Sequence, residues 1–473
     1  MLNKIILGAS LIAILSSCSE ETMDKINEDK NHPSDVQSKY TLTDAMTASA
    51  FTITGSDLAF YSSVYIEHNV GTYGQLYDAE LRLGSQIYSS STYSNSWNSI
   101  YQNMYNLKIV IDKCSSGNEA GNTVNLGIAQ VLMAYNLSIL TDIFGDVPYS
   151  EALQPGIIFQ PKIDKQQNLY TNIFSLLSDG ITNLQASTSV PSLGIQDLIY
   201  GGDAELWVKA AKGLEARYKM RLSYRNSDYN GVIAAANESF ASASEEFKFD
   251  VYDGSSATSP FYAFYNDRDY LSASQSLHDK LVARNDPRDA VFFKAYPGEA
   301  TLLFAPNENP EPFIGKYGIS GLLSPTAPTF MLSYSEILFL KAEAYARNSD
   351  LVNAEAQLKL AIQASFEKVG LLAADADTYF TADVKPLFDA DPLLEIAIQK
   401  YLALYQDEGL EAYSDYRRQN AMGTIIPLAN TLTFPERFTY GVSDVTTNQN
   451  VYDAFGNGTY IKTEKVWWAG GTR

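Results

Sequence analysis

Cysteine is nearly absent from this chain of 473 residues, which holds only Cys18 and Cys114. Two cysteines give no disulfide framework, so apolar burial must hold the fold. Histidine is almost as scarce, with only His32, His68 and His278. They form neither an H-E-x-x-H nor a His/Cys spacing, which argues against a zinc site. No G-x-S-x-G occurs, so the nucleophile elbow of the serine hydrolases is missing. Basic charge is short: 34 Lys and Arg face 55 Asp and Glu, for a net charge of −21. Nucleic-acid binders need the opposite balance, because their Lys and Arg neutralise phosphates. The same acidity disfavours adsorption to an anionic membrane surface. Tryptophan is rare too, at 4 residues, yet tyrosine reaches 32. Tyr joins a flat apolar face to a polar tip. That excess suits a ligand with both characters, such as a sugar or a peptide, although most of these rings are expected to pack between helices.

The N-terminus carries an address. Lys4 precedes an apolar run from Ile5 to Leu15. The run falls short of the roughly 20 residues that span a bilayer, but it suits a secretory signal. Leu15-Ser16-Ser17-Cys18 looks like a bacterial lipobox. Cleavage before Cys18 would leave that residue acylated on its sulfur and new amino group. Several acyl chains anchor stably where one barely does. The expected location is therefore a membrane face outside the cytoplasm, reached through lipid at Cys18. Residues 18–36 read as a polar tether, and no later run is expected to cross a membrane.

From residue 37 onward, helical patterns predict one mainly α domain. A first helix is expected over Thr41–Phe51, capped by Thr43 or Asp44. Trp97, Ile100, Tyr101, Met104, Leu107 and Ile111 recur at helical spacing and predict a helix from about Tyr93 to Lys113. Others are expected at Val124–Ile143, Asp203–Tyr224, Asp228–Phe240, Ser335–Asn348, Asn353–Val369, Leu393–Tyr405 and Gly409–Asn420. Residues 250–330 mix Gly, Ser, Pro, Asn and Asp with aromatics, which predicts loops with short strands or helices. Leu338, Ala342, Tyr345, Ala354, Leu358 and Ala361 stand at tetratricopeptide spacing. Small residues there let two helices approach closely, with Tyr345 filling the gap. One such unit needs stacked neighbours, so a helical-repeat superhelix is expected, with a loop-rich ligand-binding insertion. Trp207, Ala211 and Leu214 begin a weaker second match.

Several motifs in order then resemble one family. Asp24 to Pro33 is similar to a tether motif, and Trp97, Tyr101 and Asn106 to a W-x3-Y-…-N helix. Asp142-Ile143-Phe144-Gly145-Asp146-Val147-Pro148-Tyr149 resembles a specific D-x-F-G-D-V-P-Y turn. Asp286-Pro287-Arg288, Ala342-Glu343-Ala344-Tyr345, Gln399-Lys400-Tyr401, Gly409 to Tyr413 with Arg417-Arg418, and Phe434 to Phe438 follow. Together they resemble the SusD/RagB-like nutrient-binding lipoproteins of Bacteroidetes outer membranes. Tyr401, Tyr413 and Tyr416 depart from the Trp of many relatives. The resemblance implies a non-catalytic, cell-surface protein without cofactors. It implies capture of an oligo- or polysaccharide, or of a peptide, and delivery to a TonB-dependent SusC-like transporter. The acidic residues after Cys18 resemble a surface-export signal.

Two segments offer aromatic faces beside amides and charges. One holds Tyr73, Tyr77, Tyr93, Trp97 and Asn98, where Trp97 also suits a core position. The other holds Tyr262, Tyr265, Asn266, Asp267, Arg268 and Tyr270. A ring can stack on the apolar side of a sugar while Asn, Asp and Arg bond its hydroxyls. Asp142 and Asp146 are expected to shape a turn, and Arg417 and Arg418 to form an ion-paired helix face with Glu411 and Asp415. The pairs Asp375/Asp377 and Asp389/Asp391 are weak Ca²⁺ candidates, because the rest of an EF-hand loop is missing. An exported glycoside hydrolase is the competing class; 55 acids neither supply nor deny its carboxylate pair.

Overall fold

A computed structural model describes residues 35–83, 91–456 and 458–473. Cys18, the signal segment and most of the tether lie outside the described residues. The described chain is a helical-repeat superhelix of the tetratricopeptide type with only short strand pairs.

Helix α1 spans Ser38–Thr47 and runs into a π-helical stretch, Ala48–Thr54. It starts earlier than its cap pattern suggests. The Ser38 amide and hydroxyl both donate to the Glu119 carboxylate, so a tertiary bond fixes the entry point. Thr43 instead sits inside the helix and donates to Lys39 and Gln196 carbonyls. Helix α2, Asp57–Tyr65, has no polar stripe to betray it, since Leu58 through Tyr65 are all buried.

Helices α3 (Ser94–Ser115), α4 (Thr123–Phe144), α5 (Gln166–Gln185), α6 (Ala204–Arg221) and α7 (Tyr229–Asn237) pack each against the next. Asn122, Asp203 and Asp228 cap α4, α6 and α7 by accepting from first-turn amides. The range expected for α6 begins at this Asp203. Helix α4 is long and apolar enough to cross a membrane, contrary to the expectation that no later segment is. It is a core helix here, with 89% of its apolar window buried inside the protein. Its contact with α5 passes through two glycines. A β-carbon on Gly127 would stand 2.6 Å from the Leu184 Cγ and 2.8 Å from the Gly180 carbonyl.

Helices α8 (Tyr334–Arg347) and α9 (Leu351–Lys368) form the repeat unit that the sequence spacing indicates. Leu338, Ala342, Ala354, Leu358 and Ala361 are buried together, with Tyr345 packed on them. Helices α10 (Pro392–Ala403) and α11 (Gly409–Ala421) complete the frame.

Where α4, α6, α8 and α11 converge, the core is ionic. Arg418 binds Glu343 in bidentate fashion at 2.8 and 2.6 Å and also holds Asp415 at 2.6 Å. Arg347 adds a second cation to Glu343, at 2.6 Å. Arg221 bridges Asp142 and Glu411, and Arg217 pairs with Glu336. The expected ion-paired face is thus a buried junction. Glu411 pairs mainly across to α6, and Arg417 donates to the Asp142 and Glu436 carbonyls. Burial alone would raise the Glu343 carboxyl; Arg418 and Arg347 outweigh it and hold it at about 2.

The region between α7 and α8 contains short elements, as its composition indicates. Strand Asn69–Gly71 pairs antiparallel with Leu271–Ala273, and Phe247–Phe249 with Thr329–Leu332. The first pairing positions the candidate site.

Candidate functional site

Register brings the two aromatic segments together. Asn69 faces Ala273 and Gly71 faces Leu271, and the Thr72 amide donates to the Tyr270 carbonyl at 2.9 Å. Tyr73 and Tyr270 therefore sit side by side, ring centroids 5.5 Å apart at 51°. Tyr73 is 45% exposed. The next residue, Gly74, has φ +52°, and a β-carbon there would stand 2.6 Å from the Tyr270 ring. Glycine is needed at that point for both reasons.

The segment expected as a polar–aromatic loop is a short helix, Pro260–Asp267. Pro260 supplies a fixed φ at its start, where no amide donor is needed. Phe261 and Phe264 turn inward onto Phe60, with centroids 4.9 and 4.2 Å away. Phe264 also supports the edge of Tyr270 at 5.8 Å. This apolar underlayer leaves Tyr262 and Tyr265 half-buried and Asn266, Asp267 and Arg268 exposed. Asp269, at φ +54°, accepts from the Tyr296 hydroxyl at 2.7 Å. That bond, with burial, raises the Tyr296 phenol, so it remains a neutral donor. Asp269 and Tyr296 were missed in the sequence. Tyr296 stands alone in Ala295-Tyr296-Pro297, and only the tertiary hydrogen bond adds it to the face. Tyr77 lies one turn along the helix Gly74–Glu80, half-buried.

The other expected members are elsewhere. Tyr93 and Trp97 are fully buried, a correction to their expected ligand role. Tyr93 stacks on Phe438 at 4.3 Å, and the Trp97 indole N–H donates to Asp444. A Trp at an inward position of α3 is core, and no ring face remains for a ligand. Asn98 is exposed on the outer side of α3, among residues that do not line the Tyr73–Tyr270 face. His68 is fully buried too; its Nε2 donates to the Tyr401 carbonyl at 2.9 Å, and burial lowers its pKa to about 3, so it is neutral.

The conspicuous carboxylates are structural. Asp142 accepts from Tyr170 and from the Trp468 indole N–H, besides Arg221. Asp146 accepts from the Gln166 amide and the Lys165 ammonium, both at 2.8 Å. Gly145 leaves α4 at φ +82° with the Arg437 guanidinium against it. As for Ca²⁺, Asp377 faces Lys359, Asp389 faces Lys385 and Asp391 caps α10. Among the described residues no group of three His, Cys, Asp or Glu is placed to hold a metal ion.

One carboxylate behind the face titrates near neutrality. Glu80 accepts from the Glu308 amide at 2.6 Å and the Asn430 side chain at 3.2 Å, and burial pushes it up to about 7. The folded chain holds this proton up to about pH 7, whereas the ordinary value is 4.5. Stability is therefore lost as pH rises through that interval. Glu80→Gln is expected to reduce the slope of unfolding free energy against pH, measured by urea titration from pH 5 to 8. Asp407, also raised to about 7 by burial, adds a contribution of the same sign, whereas buried neutral His68 contributes the opposite slope below about pH 6.5.

A family profile described as SusD-like, starch-binding and associating with outer membrane, matches residues 30–441. The fold is similar to that of a SusD/RagB family protein from Bacteroides thetaiotaomicron, at 40% identity and a TM-score of 0.84, covering 93% of this chain and 100% of that one. A chitin-binding protein is similar at 25% identity and a TM-score of 0.72, over 92% and 99%. A chitin-binding SusD homolog from Flavobacterium johnsoniae shares the fold at 18% identity and a TM-score of 0.74, over the same shares. No curated protein matches the chain.

Proposed function

The chain belongs to the SusD-like family, and from that premise we propose that it is a surface-exposed binding lipoprotein of a bacterial outer membrane. It captures an oligo- or polysaccharide and passes it, unaltered, to a TonB-dependent SusC-like transporter. Lipid on Cys18 anchors it, and residues 18–36 give it reach.

The observation that carries this reading is the face built by Tyr73, Tyr270, Tyr265 and the Asp269–Tyr296 pair. Its rings offer apolar faces to a sugar, while Asn266, Asp267 and Arg268 offer hydrogen bonds to hydroxyls. Such a face needs no reacting group, only rigidity, and the phenylalanines beneath it supply that. The starch- and chitin-binding descriptions of relatives favour a glycan over a peptide.

Incubation of the purified protein with soluble starch and glycol chitin tests the reading. Retention without released sugars is the expected result. Release of shorter products would make the chain a hydrolase, and no retention would remove the glycan. Mass spectrometry of the membrane-extracted protein is expected to find an acylated Cys18.

A further inference from the structure

A second recess lies along α3, and none of the residues of the tyrosine face lines it. Its first part, about 420 Å³, runs between α3 and the chain from Pro148 to Pro161. Its second part, about 640 Å³, continues between Gln160 and the helices Val442–Thr447 and Gln449–Phe455. Asn448 lines both parts. Its carboxamide is fixed, donating to the Pro161 carbonyl at 2.9 Å and accepting from the Asn450 amide at 3.0 Å.

The lining is chemically unusual for this chain. Asp444 is the one charged residue among the described residues that line either part, in a protein with a net charge of −21. One of its carboxylate oxygens is occupied by the Trp97 indole. The remaining polar groups are amides and hydroxyls: Asn98 and Gln102 from α3, Gln154 opposite them, and Thr446 and Gln449 further along. Tyrosines line both parts. Tyr101 and Tyr105 lie on successive turns of α3 in the first, and Tyr452, 50% exposed, lines the second. The Tyr101 hydroxyl donates to the Pro148 carbonyl at 2.7 Å, which fixes that ring.

We propose that this recess is a second carbohydrate site, which takes an extended run of an uncharged glycan chain. The proposal rests on the glycan reading above and adds a place for the polymer beyond the residues held at the tyrosine face. A lining with a single carboxylate, one oxygen of which is already held by the Trp97 indole, costs little beside a neutral ligand and gains little from a charged one. Tyr rings and amides in both parts match the apolar faces and hydroxyls of a sugar chain. Two sites on one chain also raise retention on a polymer through effective concentration, without any new contact at either.

The test compares polymer with short ligand. Wild type, Tyr105→Ala with Tyr452→Ala, and Tyr73→Ala with Tyr270→Ala are run in native gels holding soluble starch or glycol chitin. Their affinities for maltotriose and chitotriose are measured by calorimetry. The recess variant is expected to keep its trisaccharide affinity within twofold and to lose at least tenfold in polymer affinity. Wild-type polymer affinity in that variant overturns the second site and leaves the first intact. Failure of the wild type to be retained by either polymer overturns both readings. If the double variant fails to fold, Gln102→Ala with Gln449→Ala removes two amides and keeps both rings. The same tenfold loss is expected, and its absence overturns the proposal.

Discussion

Glu343→Ala is expected to lower the free energy of unfolding by about 3–5 kcal/mol, the cost of stripping one partner from a buried ion pair. Glu343 is 1% exposed and holds Arg418, itself fully buried, together with Arg347. Without the carboxylate, Arg418 keeps only Asp415 and a long contact to the Ser223 hydroxyl, while its charge stays out of water. Urea unfolding at pH 7 measures the loss. A change below about 1 kcal/mol would mean that water enters the junction and solvates Arg418. The interaction also has a pH signature. Because the folded carboxyl is held near 2 against an ordinary 4.5, its contribution is complete above about pH 4.5 and is lost as pH falls toward 2. Glu343→Gln is expected to remove that part of the acid sensitivity.

Tyr73→Ala with Tyr270→Ala is expected to weaken glycan binding about fivefold to a hundredfold. Each aromatic contact contributes about 0.5–1.5 kcal/mol beyond its area, and about 1.4 kcal/mol is a factor of ten. Calorimetric titration with the oligosaccharide that wild type retains measures it. Melting should stay close to wild type. Tyr73 is 45% exposed, and the Phe60, Phe261 and Phe264 rings beneath still pack on one another. Unaltered affinity in the double variant would move the ligand off this face. Tyr265→Ala with Arg268→Ala addresses the same face from the helix Pro260–Asp267.

Much of the frame was legible in the residues, because one-sided helices write their burial at a 3.6-residue period. Helices α3, α4 and α6 through α11 begin and end within a few residues of the positions that periodicity and caps indicate. The tetratricopeptide pair is legible for a related reason: Ala342, Ala354 and Ala361 mark where two backbones approach. Helix α2 carries no such record, since it is buried on every side. Helix α5 carries the same kind of stripe, Leu169, Tyr170, Ile173, Leu177 and Leu184, although no expectation covers it. The start of α1 depends on Glu119, far along the chain, which local patterns cannot report.

The site was legible by halves. Residue type distinguishes rings that suit a sugar but not which way they point. Tyr93 and Trp97 look as inviting as Tyr73, and the α3 stripe turns them inward. The neighbourhood of Tyr73 and Tyr270 depends on a strand pairing between residues some 200 positions apart, and no spacing rule announces it. Tyr296 joins through its hydrogen bond to Asp269, 27 positions earlier in the chain.

That pairing has a consequence for when the protein becomes competent. The three-residue strand Asn69–Gly71 must wait for Leu271–Ala273, and Glu67 behind it accepts from the Ala429 and Asn430 amides. Closing loops of this length is slow, because chain entropy is lost before any contact compensates. The Tyr73–Tyr270 pair is therefore expected to form after the local helix pairs have packed. Tyr73 and Tyr270 thus become neighbours only once residues some 200 positions apart have met, and the Glu67 carboxylate ties that meeting to the Ala429 and Asn430 amides as well.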